Sequence, residues 1–272
     1  MNTTAKILFT DLDGTLLQDN HQVSSGCRRA IELALEQGHK IVIATGRPIA
    51  SARQIAEELD LTKEGCYIIA SNGALLYDSH LGTILKEASF SKEYLRPLFD
   101  SAYEEGLHIH TYSHKHVLSE RDTPEIRWYE QAIQVPAIIV EDVSAYLSYD
   151  PIKAILINKE SKDRLIHFRQ KMEHWIEGKM SSIFSSDIML EYCPPGVSKG
   201  NAVRELCKLL SIPIEHSVAA GDAENDITMI QAAGVGCVMC NGSEETKEYA
   251  DYITKRDNNA DGFAEIIEKF LL

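Results

Sequence analysis

The sequence predicts an α/β protein that has a parallel sheet and an inserted α+β module. In the first third of the chain, short apolar segments alternate with amphipathic ones, which is typical of a parallel sheet covered by helices. In the middle third, strand-like pieces are separated by charged helical ones, and the first pattern returns near residue 197. One α/β domain interrupted by a second module accounts for this order, since the chain shows no repeats and no Gly/Ser-rich linker.

The individual elements follow from apolar runs and from helix start and stop signals. In the first third we predict strands at residues 6–10, 40–44 and 67–70 and helices at residues 24–37 and 49–59. In the middle we predict strands at residues 107–111, 153–157 and 182–185 and helices at residues 92–105 and 162–177, whereas residues 133–141 fit neither pattern clearly. In the last third we predict helices at residues 199–210 and 225–233 and strands at residues 216–220 and 235–239. The expected domains are residues 1–84 with 188–272, and residues 85–187.

Small or polar residues follow the predicted strands of the first and last thirds. They are Asp11 and Asp13 after the first strand, Thr45, Gly46 and Arg47 after the second, Ser71 and Asn72 after the third, and Asp222, Asn225 and Asp226 after the strand at residues 216–220, while Lys199 begins the preceding helix. In open parallel sheets, ligands bind at the carboxyl ends of the strands. A single aspartate there is commonly a helix cap or a turn residue. Several strand ends that carry carboxylates, a hydroxyl, amides and one lysine indicate a binding or catalytic site instead.

The chemistry of these groups favours phosphate transfer. Carboxylates grouped at one sheet edge repel one another unless a divalent cation lies among them, and oxygen ligands suit Mg²⁺, which also binds substrate phosphate. An aspartate can attack phosphorus to form an aspartyl-phosphate, and a nearby carboxylate can protonate the leaving group and then activate water. A lysine and a threonine hydroxyl can neutralise and orient the phosphoryl oxygens. We therefore expect Asp11 and Asp13 to face a metal ion and a phosphate.

Five segments carry a resemblance to a known family. In chain order they are FTDLDGTLL, ATGR, SNGA, GVSKG and GDAENDITMI, and together they resemble the haloacid dehalogenase-like hydrolases. The long segment before the motif lysine is similar to the large α+β cap of the Cof-type phosphatases. The resemblance covers the whole chain and implies a Rossmann-like doubly wound parallel sheet core with an inserted α+β cap domain. One departure is Cys240-Asn241-Gly242, where the family usually has Gly-Asn-Ala.

The resemblance implies four catalytic residues. Asp11 would be the nucleophile, and Asp13 would act as general acid and then as general base. Thr45 would bind the phosphoryl group. Lys199 would neutralise the nucleophile and the phosphate.

The remaining matches concern the metal ion and the substrate. The implied ligands of Mg²⁺ are the carboxylates of Asp11 and Asp222 and the backbone carbonyl of Asp13, with Asp226 in support. The implied substrate- or phosphate-binding residues are Gly46, Arg47, Asn72 and Asn225. The activity implied is hydrolysis of a phosphoric monoester.

Composition and charge restrict the expected partners. The chain has 272 residues, of which 27 are basic and 41 acidic, and its formal net charge of −14 argues against nucleic acid or an anionic membrane, since both need a basic surface. No apolar run approaches the roughly 20 residues needed to span a bilayer. The N-terminus lacks a secretory signal, and we interpret the six cysteines, including the pair Cys237 and Cys240, as reduced thiols. We expect a cytoplasmic enzyme, monomeric or weakly dimeric, that acts on a small phosphorylated metabolite.

Alternatives to a phosphatase stay open at this point. A phosphomutase of the same superfamily would also keep Asp13, and a non-catalytic phosphate-binding regulatory module would keep the phosphate site. Mg²⁺-dependent turnover of a generic aryl phosphate would exclude the regulatory module. Among substrates, sugar phosphates are the commonest in the family that the chain resembles, with pyridoxal phosphate and flavin mononucleotide as other members.

A histidine-rich segment lies in the predicted cap. If residues 108–116 are extended, alternation places His108, His110, Tyr112, His114 and His116 on one face. We predict a polar strand face here in preference to a zinc site.

Overall fold

The computed structural model describes residues 5–113 and 115–272, and the chain divides into two compact units. One comprises the residues up to Lys86 together with Ser198–Leu272, and the other is Glu87–Val197. The sequence analysis placed the second boundary at residues 187/188, and the structure has it after Val197 because the strand Met189–Cys193 pairs with two strands of the second unit. The first boundary lies within two residues of the expected position.

The first unit contains the strands and helices that the parallel pattern predicted. Its strands are β1 (Ile7–Thr10), β2 (Lys40–Ala44), β3 (Cys66–Ala70), β4 (Leu75–Asp78) and β5 (Thr83–Glu87). Its first helices are α1 (Ser25–Glu36) and α2 (Ile49–Glu58). The helix α1 begins at the Ser24 cap, whose hydroxyl accepts a hydrogen bond from the Cys27 N–H, and the following Gly38 has the left-handed φ of 82° that suits a helix end.

The second unit follows β5, and the chain then returns to the first unit. The elements of the second unit are α3 (Leu95–Glu104), β6 (His108–Tyr112), β7 (Val117–Ser119), α4 (Pro124–Ile133), β8 (Ala137–Ile139), α5 (Val143–Tyr146), β9 (Ala154–Ile157), α6 (Lys162–Ile176), β10 (Ser181–Ser186) and β11 (Met189–Cys193). The remaining elements of the first unit are α7 (Lys199–Leu209), β12 (Ser217–Gly221), α8 (Ile227–Ala232), β13 (Val235–Val238), α9 (Glu244–Lys247), β14 (Tyr252–Ile253) and α10 (Gly262–Phe270).

The sheet of the first unit is doubly wound, which confirms the predicted fold class. Its strand order is β14-β13-β12-β1-β2-β3-β4-β5, so the chain moves outward from β1 in both directions. The strands from β14 to β3 run parallel, whereas β4 runs antiparallel to β3. In such a sheet the ligand site lies at the carboxyl ends of the strands where the direction of winding changes. Here that position is the end of β1, between β2 and β12.

The central strands of the sheet are buried on both faces, which explains their continuous apolar sequences. On β1, Leu8 belongs to a core cluster with residues of α1, α2 and α10. Its neighbours Ile7 and Phe9 belong to the opposite cluster, with residues of α7 and α8. Because successive side chains of the strand enter one apolar core and then the other, Ile7, Leu8 and Phe9 are all apolar. Helices on both faces therefore hold the strand ends of this unit in a fixed arrangement.

The second unit has an α+β fold built on a mainly antiparallel sheet. The strand order is β10-β11-β9-β6-β7-β8, and only the pair of β7 and β8 runs parallel among the described pairings. The helices α3 and α6 pack their apolar residues against one face of this sheet. The predicted helix at residues 92–105 begins with a 3₁₀ turn at Lys92–Tyr94, and part of the unassigned segment is β8.

The histidine-rich segment forms β6 and a turn. His108 Nε2 lies 3.0 Å from His110 Nδ1, and His110 Nε2 lies 3.4 Å from the Tyr112 hydroxyl, so these three side chains share a face as predicted. His116 lies beyond a turn that its carbonyl closes with the Ser113 N–H, and His114 lies outside the described residues. Burial lowers the pKa of His108 to about 4, against the opposing charge of Glu125.

Two further observations concern the sequence expectations. No helix among the described residues is long and apolar enough to cross a membrane. All six cysteines are free thiols, and burial raises the pKa of Cys237 to about 12, as expected for a packed strand residue rather than a reactive thiol.

Candidate active site

The site begins where β1 ends. Asp11 directly follows β1, and its N–H donates to the Ala220 carbonyl of β12 at 2.9 Å, so the strand pairing continues up to the aspartate. The Asp11 side chain is nearly buried. Burial raises the pKa of Asp11 well above its usual range, Lys199 opposes this effect, and Asp226 and Asp222 add to it. A buried carboxylate among other carboxylates requires positive charge nearby.

That positive charge comes from Lys199, the first residue of α7. The side chain of Ser198 caps this helix by accepting from the Asn201 N–H. The Lys199 ammonium is buried, and it donates to Asp11 Oδ1 and to Asp226 Oδ1, each at 2.6 Å. Burial alone would lower the pKa of Lys199, but the two carboxylates raise it overall. Lys199 is therefore a fixed cation between two aspartates.

The turn after β12 supplies the other two aspartates. Asp226 Oδ2 accepts from the N–H groups of Asp222 and Ala223, at 2.9 and 3.0 Å, so this side chain fixes the turn. The Thr15 hydroxyl donates to Asp222 Oδ1 at 2.7 Å. Burial, assisted by the charge of Asp226, raises the pKa of Asp222 to about 7.

The acidic cluster of Asp11, Asp222 and Asp226 could hold a metal ion. Oxygen atoms of the three carboxylates lie within 4.8 Å of one another. Both oxygens of Asp226 accept the hydrogen bonds described above, whereas Asp11 Oδ2 and Asp222 Oδ2 accept none from the described part of the chain. An all-oxygen set with raised carboxylate pKa values fits a hard divalent cation. Asp11 and Asp222 thus each have an oxygen that could bind such a cation, and Asp226 holds the turn of Asp222 and the ammonium of Lys199.

Gly14 allows the turn after Asp13 to approach this cluster. It has a left-handed φ of 83°, and a Cβ atom added at this position would lie 2.6 Å from Asp222 Oδ2. Any side chain here would therefore displace Asp222. The sequence analysis assigned no role to Gly14 or to the Thr15 hydroxyl, although both lie in the Asp-Gly-Thr segment that it singled out.

Asp13 lies on the same turn and is held by Arg47. Arg47 Nε donates to Asp13 Oδ2 at 2.8 Å, and Arg47 Nη2 donates to Asp13 Oδ1 at 2.7 Å. The Asp13 side chain is half exposed, and the Arg47 side chain is mostly covered. Two parallel hydrogen bonds fix both the position and the orientation of a carboxylate. The sequence analysis expected Arg47 near a phosphate, and in the structure its guanidinium contacts Asp13.

The remaining predicted residues lie around the ends of β2 and β3. Thr45 is buried directly after β2, and its hydroxyl accepts from the Arg47 N–H at 3.1 Å, while its carbonyl accepts from the Asn72 N–H at 3.1 Å. Asn225 Nδ2 donates to Asn72 Oδ1 at 3.1 Å, and both side chains are buried. Asn72 has a φ of 56°, a conformation that asparagine tolerates better than most residues. Gly46 lies half-buried between Thr45 and Arg47.

All ten predicted site residues therefore lie in the first unit, nine of them after neighbouring strands and Lys199 at the start of α7. A buried ammonium, a carboxylate held by it, a second carboxylate on the next turn and an acidic cluster form a site that would suit an anionic substrate once a divalent cation offsets the excess of carboxylates.

Comparison with known proteins identifies the family. Residues 8–267 match the family of haloacid dehalogenase-like hydrolases. A Bacillus subtilis (strain 168) protein named "Putative phosphatase YxeH" is 34% identical over 274 residues, covering 98% of each chain. Another protein of that strain, 5-amino-6-(5-phospho-D-ribitylamino)uracil phosphatase YcsE, is 27% identical and covers 98% of this chain and 96% of its own.

A solved structure agrees with these relatives. The crystal structure of a haloacid dehalogenase-like hydrolase from Bacteroides thetaiotaomicron has a TM-score of 0.88 and 28% identity, and the match covers 98% of this chain and 99% of that one. The sequence motifs, the doubly wound sheet and the match over nearly the whole chain lead to one assignment. The chain belongs to the haloacid dehalogenase-like hydrolases, as a phosphatase of the Cof type.

Proposed function

We propose that the protein is a Mg²⁺-dependent phosphatase that hydrolyses a small phosphorylated metabolite through an aspartyl-phosphate on Asp11. The observation that carries the proposal is the pairing of the buried Lys199 ammonium with Asp11 at 2.6 Å, beside the acidic cluster. A buried cation fixed on a carboxylate oxygen keeps that carboxylate oriented, and it offers positive charge to an incoming phosphate.

Asp11, Asp222 and the Asp13 backbone carbonyl are the groups that we assign to Mg²⁺. The all-oxygen donor set supports this assignment, as do Asp11 Oδ2 and Asp222 Oδ2, which accept no hydrogen bond from residues 5–113 and 115–272. Bound Mg²⁺ would supply charge neutralisation for the phosphate and for the crowded carboxylates. Asp226 contributes by holding the Asp222 N–H and the Lys199 ammonium.

The protein groups divide the reaction between them. Asp11 attacks phosphorus while Asp13 protonates the leaving oxygen, and Asp13 then takes a proton from the water that hydrolyses the aspartyl-phosphate. Thr45 and Lys199 bind the phosphoryl oxygens. Arg47 orients the ionised Asp13 carboxylate, which is the form that takes the proton from water.

Three further residues complete the proposed phosphate site. Gly46, which carries no side chain, allows the backbone after Thr45 to approach a phosphate. Asn72 and Asn225, held together by their amides, offer polar groups to the substrate. These assignments follow the family motif at the matching positions of this chain.

We assign the substrate to the sugar phosphates or phosphorylated sugar alcohols. The relative YcsE is named for a phosphorylated ribitylamino compound, which supports this class. Selection among phosphate esters is assigned to the unit Glu87–Val197, because the groups given to the phosphoryl centre all lie in the first unit and would recognise phosphate alone. The six free thiols support a reducing compartment such as the cytoplasm, which cell fractionation with an antibody would test.

The direct experiment is a turnover assay of the purified full chain. It would compare metal-free, Mg²⁺-loaded and Ca²⁺-loaded protein on a generic aryl phosphate and on a panel of sugar, sugar-alcohol, pyridoxal and flavin phosphates. We expect phosphate release with Mg²⁺, none after EDTA treatment, and poor activity with Ca²⁺, whose larger size and looser coordination misalign Asp11. Full turnover without metal would contradict the proposal. Isomerised sugar phosphate in place of free phosphate would identify a phosphomutase.

A second experiment tests the role of the inserted unit. Residues 88–196 would be replaced by a short flexible linker, and circular dichroism would first establish that the shortened chain is folded. We expect Mg²⁺ and phosphate-analogue binding to persist while the preference among substrates is lost. A folded, shortened protein that ranked substrates as the full chain does would place specificity in the first unit.

A further inference from the structure

We propose that Asn241 is a positioning residue that fixes the turn carrying Asp13. This inference rests on the proposed function, because it concerns how the catalytic turn is held. Asn241 lies in the segment Cys240-Asn241-Gly242, directly after Met239, where the resembled family usually has Gly-Asn-Ala, so the asparagine matches that pattern and its two neighbours do not. Its amide Nδ2 donates to the Gly14 carbonyl at 2.8 Å.

Both ends of the Asn241 amide are engaged. Its Oδ1 accepts from the Asn258 N–H at 3.2 Å, so the amide is oriented with its nitrogen toward Gly14. Asn241 is exposed, and water competes for such a hydrogen bond, so its contribution to folding is small. The geometry therefore indicates a role in placing the Gly14 carbonyl rather than a role in stability.

The two residues that flank this segment, Met239 and Ser243, also hold the Asp222 turn. The Ser243 N–H donates to the Asp222 carbonyl at 3.0 Å, and the Met239 N–H donates to the Gly221 carbonyl at 3.0 Å. One short segment thus binds the two turns that bring Asp13 and Asp222 to the site. The Thr15 hydroxyl adds a direct link between those turns through Asp222 Oδ1.

The support behind Asn241 is itself anchored. The Cys240 N–H donates to the Thr254 hydroxyl at 3.0 Å. The buried Asn258 donates from its side chain to the Leu17 carbonyl at 2.9 Å, so the two asparagines hold the segment after Asp13 at Gly14 and at Leu17. Because Asn241 lies on an anchored segment, its side chain can hold the Gly14 carbonyl in one place, which a freely rotating side chain could not do.

Displacement of this turn would matter because the Gly14 carbonyl lies only one peptide after the Asp13 carbonyl, so a shift of Gly14 also shifts Asp13. Catalysis is sensitive to small shifts of reacting groups, and a misplacement of about 1 Å can cost on the order of a hundredfold in rate. Without the hydrogen bond to Asn241, the turn would keep its contacts to Asp222 through Gly14 and Thr15, but its backbone would sample more positions. The loss should therefore appear in kcat and in metal binding, and hardly at all in substrate affinity or stability.

The test compares two variants of Asn241 with a control. N241A removes both hydrogen bonds, and N241D keeps the acceptor for the Asn258 N–H but cannot donate to Gly14. The control N158A removes an asparagine of the second unit whose Oδ1 accepts from the Glu160 and Ser161 N–H groups in a turn. Full chains would be assayed for kcat, KM and Tm with an aryl phosphate, and Mg²⁺ binding to N241A would be measured by calorimetry.

We expect kcat to fall by about tenfold or more in both N241A and N241D, with KM changed by less than about threefold and Tm nearly unchanged. We also expect N241A to bind Mg²⁺ several-fold more weakly, and N158A to lower Tm while leaving kcat intact. Wild-type kcat and Mg²⁺ affinity in N241A would overturn the inference. So would a loss of activity that only follows a fall in Tm. If the wild-type protein showed no Mg²⁺-dependent turnover, the proposed function would fail, and the calorimetric comparison would still decide on Asn241.

Discussion

The ammonium of Lys199 lies 2.6 Å from Asp11 Oδ1 and 2.6 Å from Asp226 Oδ1, and all three side chains are buried. One cation therefore links the end of β1 with the turn after β12. Asp226 extends this connection by accepting from the Asp222 N–H. Asp11, the turn of Asp222 and the helix α7 are therefore linked by charge, so we expect a change in one of them to affect the other two.

Removal of Lys199 should impair both folding and turnover. K199A leaves two buried carboxylates without their cation, and we expect it to lower the free energy of unfolding by about 3 kcal/mol. We expect turnover to fall by at least about a hundredfold, since the phosphoryl group loses a fixed positive charge. The control is K208A, an exposed lysine of the same helix. Wild-type turnover in K199A would remove Lys199 from the catalytic site.

Arg47 should act through Asp13, and a double-mutant cycle can establish this. We expect D13N to lose at least about a hundredfold in kcat, because both proton transfers fail. R47A should lower kcat in the wild-type background but add little to D13N, since the bidentate contact has no carboxylate left to orient. R53A, on the exposed side of α2, is the control. Effects that multiply would instead indicate that Arg47 contacts the phosphate.

We expect Mg²⁺ binding to require Gly14 because it has no side chain, and not only because its φ is left-handed. In G14A the new Cβ would lie 2.6 Å from Asp222 Oδ2, so Asp222 must move and Mg²⁺ affinity should fall at least about tenfold. Gly38 provides a matched control, because it has the same left-handed φ and a Cβ there would meet no atom within 4 Å. Calorimetric titration of both variants with Mg²⁺ would show the difference. Equal affinities in G14A and G38A would contradict this account.

The sheet and the motif residues could be predicted from sequence because burial on both faces leaves a clear pattern. The strand β2 has the predicted bounds, and β1 and β3 differ by one residue each. The strand β5 was missed because it lies at the sheet edge with every residue exposed, and it has no apolar pattern to identify it. The short strands β7 and β8 were missed because three residues are too few to show a period.

Within the site, residue types were predictable but contacts between distant segments were not. The Asp-x-Asp and Gly-Asp motifs mark their own strand ends, so Asp11 and Asp222 could be placed from sequence. The pairing of Arg47 with Asp13 depends on how the turns after β1 and β2 face each other. The sequence analysis noted the segment of Asn241 but assigned this residue no role, because its hydrogen bond to Gly14 joins two segments that are far apart in the chain.

The second unit should lose stability as the pH falls below about 6.5. Burial lowers the pKa of His108 to about 4 in the folded protein, and an unfolded histidine has a pKa of about 6.5. The contribution of His108 to the free energy of unfolding is fully present above the unfolded pKa of the imidazole. It is lost as the pH falls toward the folded pKa, because only the unfolded chain binds the proton in that range. We expect a loss of about 3 kcal/mol by pH 4 from His108 alone.

Tryptophan fluorescence can follow this effect separately, because Trp128 and Trp175 both lie in the second unit. Urea unfolding would be measured from pH 7 to pH 4 for the wild type, for H108Q and for H174Q, an exposed histidine of α6. H108Q should show a weaker pH dependence than the other two. The same dependence in all three proteins would assign the effect to other groups.

The most direct test of the central claim is to detect a phosphoryl group on Asp11 during turnover. The full chain with Mg²⁺ would be mixed with an excess of a hydrolysable phosphate ester and quenched in acid within milliseconds to seconds. Mass spectrometry of the peptides would then locate the modification. We predict an acid-stable phosphoryl group on the peptide that contains Asp11, none in D11N, and more in D13N if that variant still forms the intermediate but hydrolyses it slowly. Mg²⁺-dependent release of phosphate that persists in D11N, without modification of Asp11 in the wild type, would contradict the account.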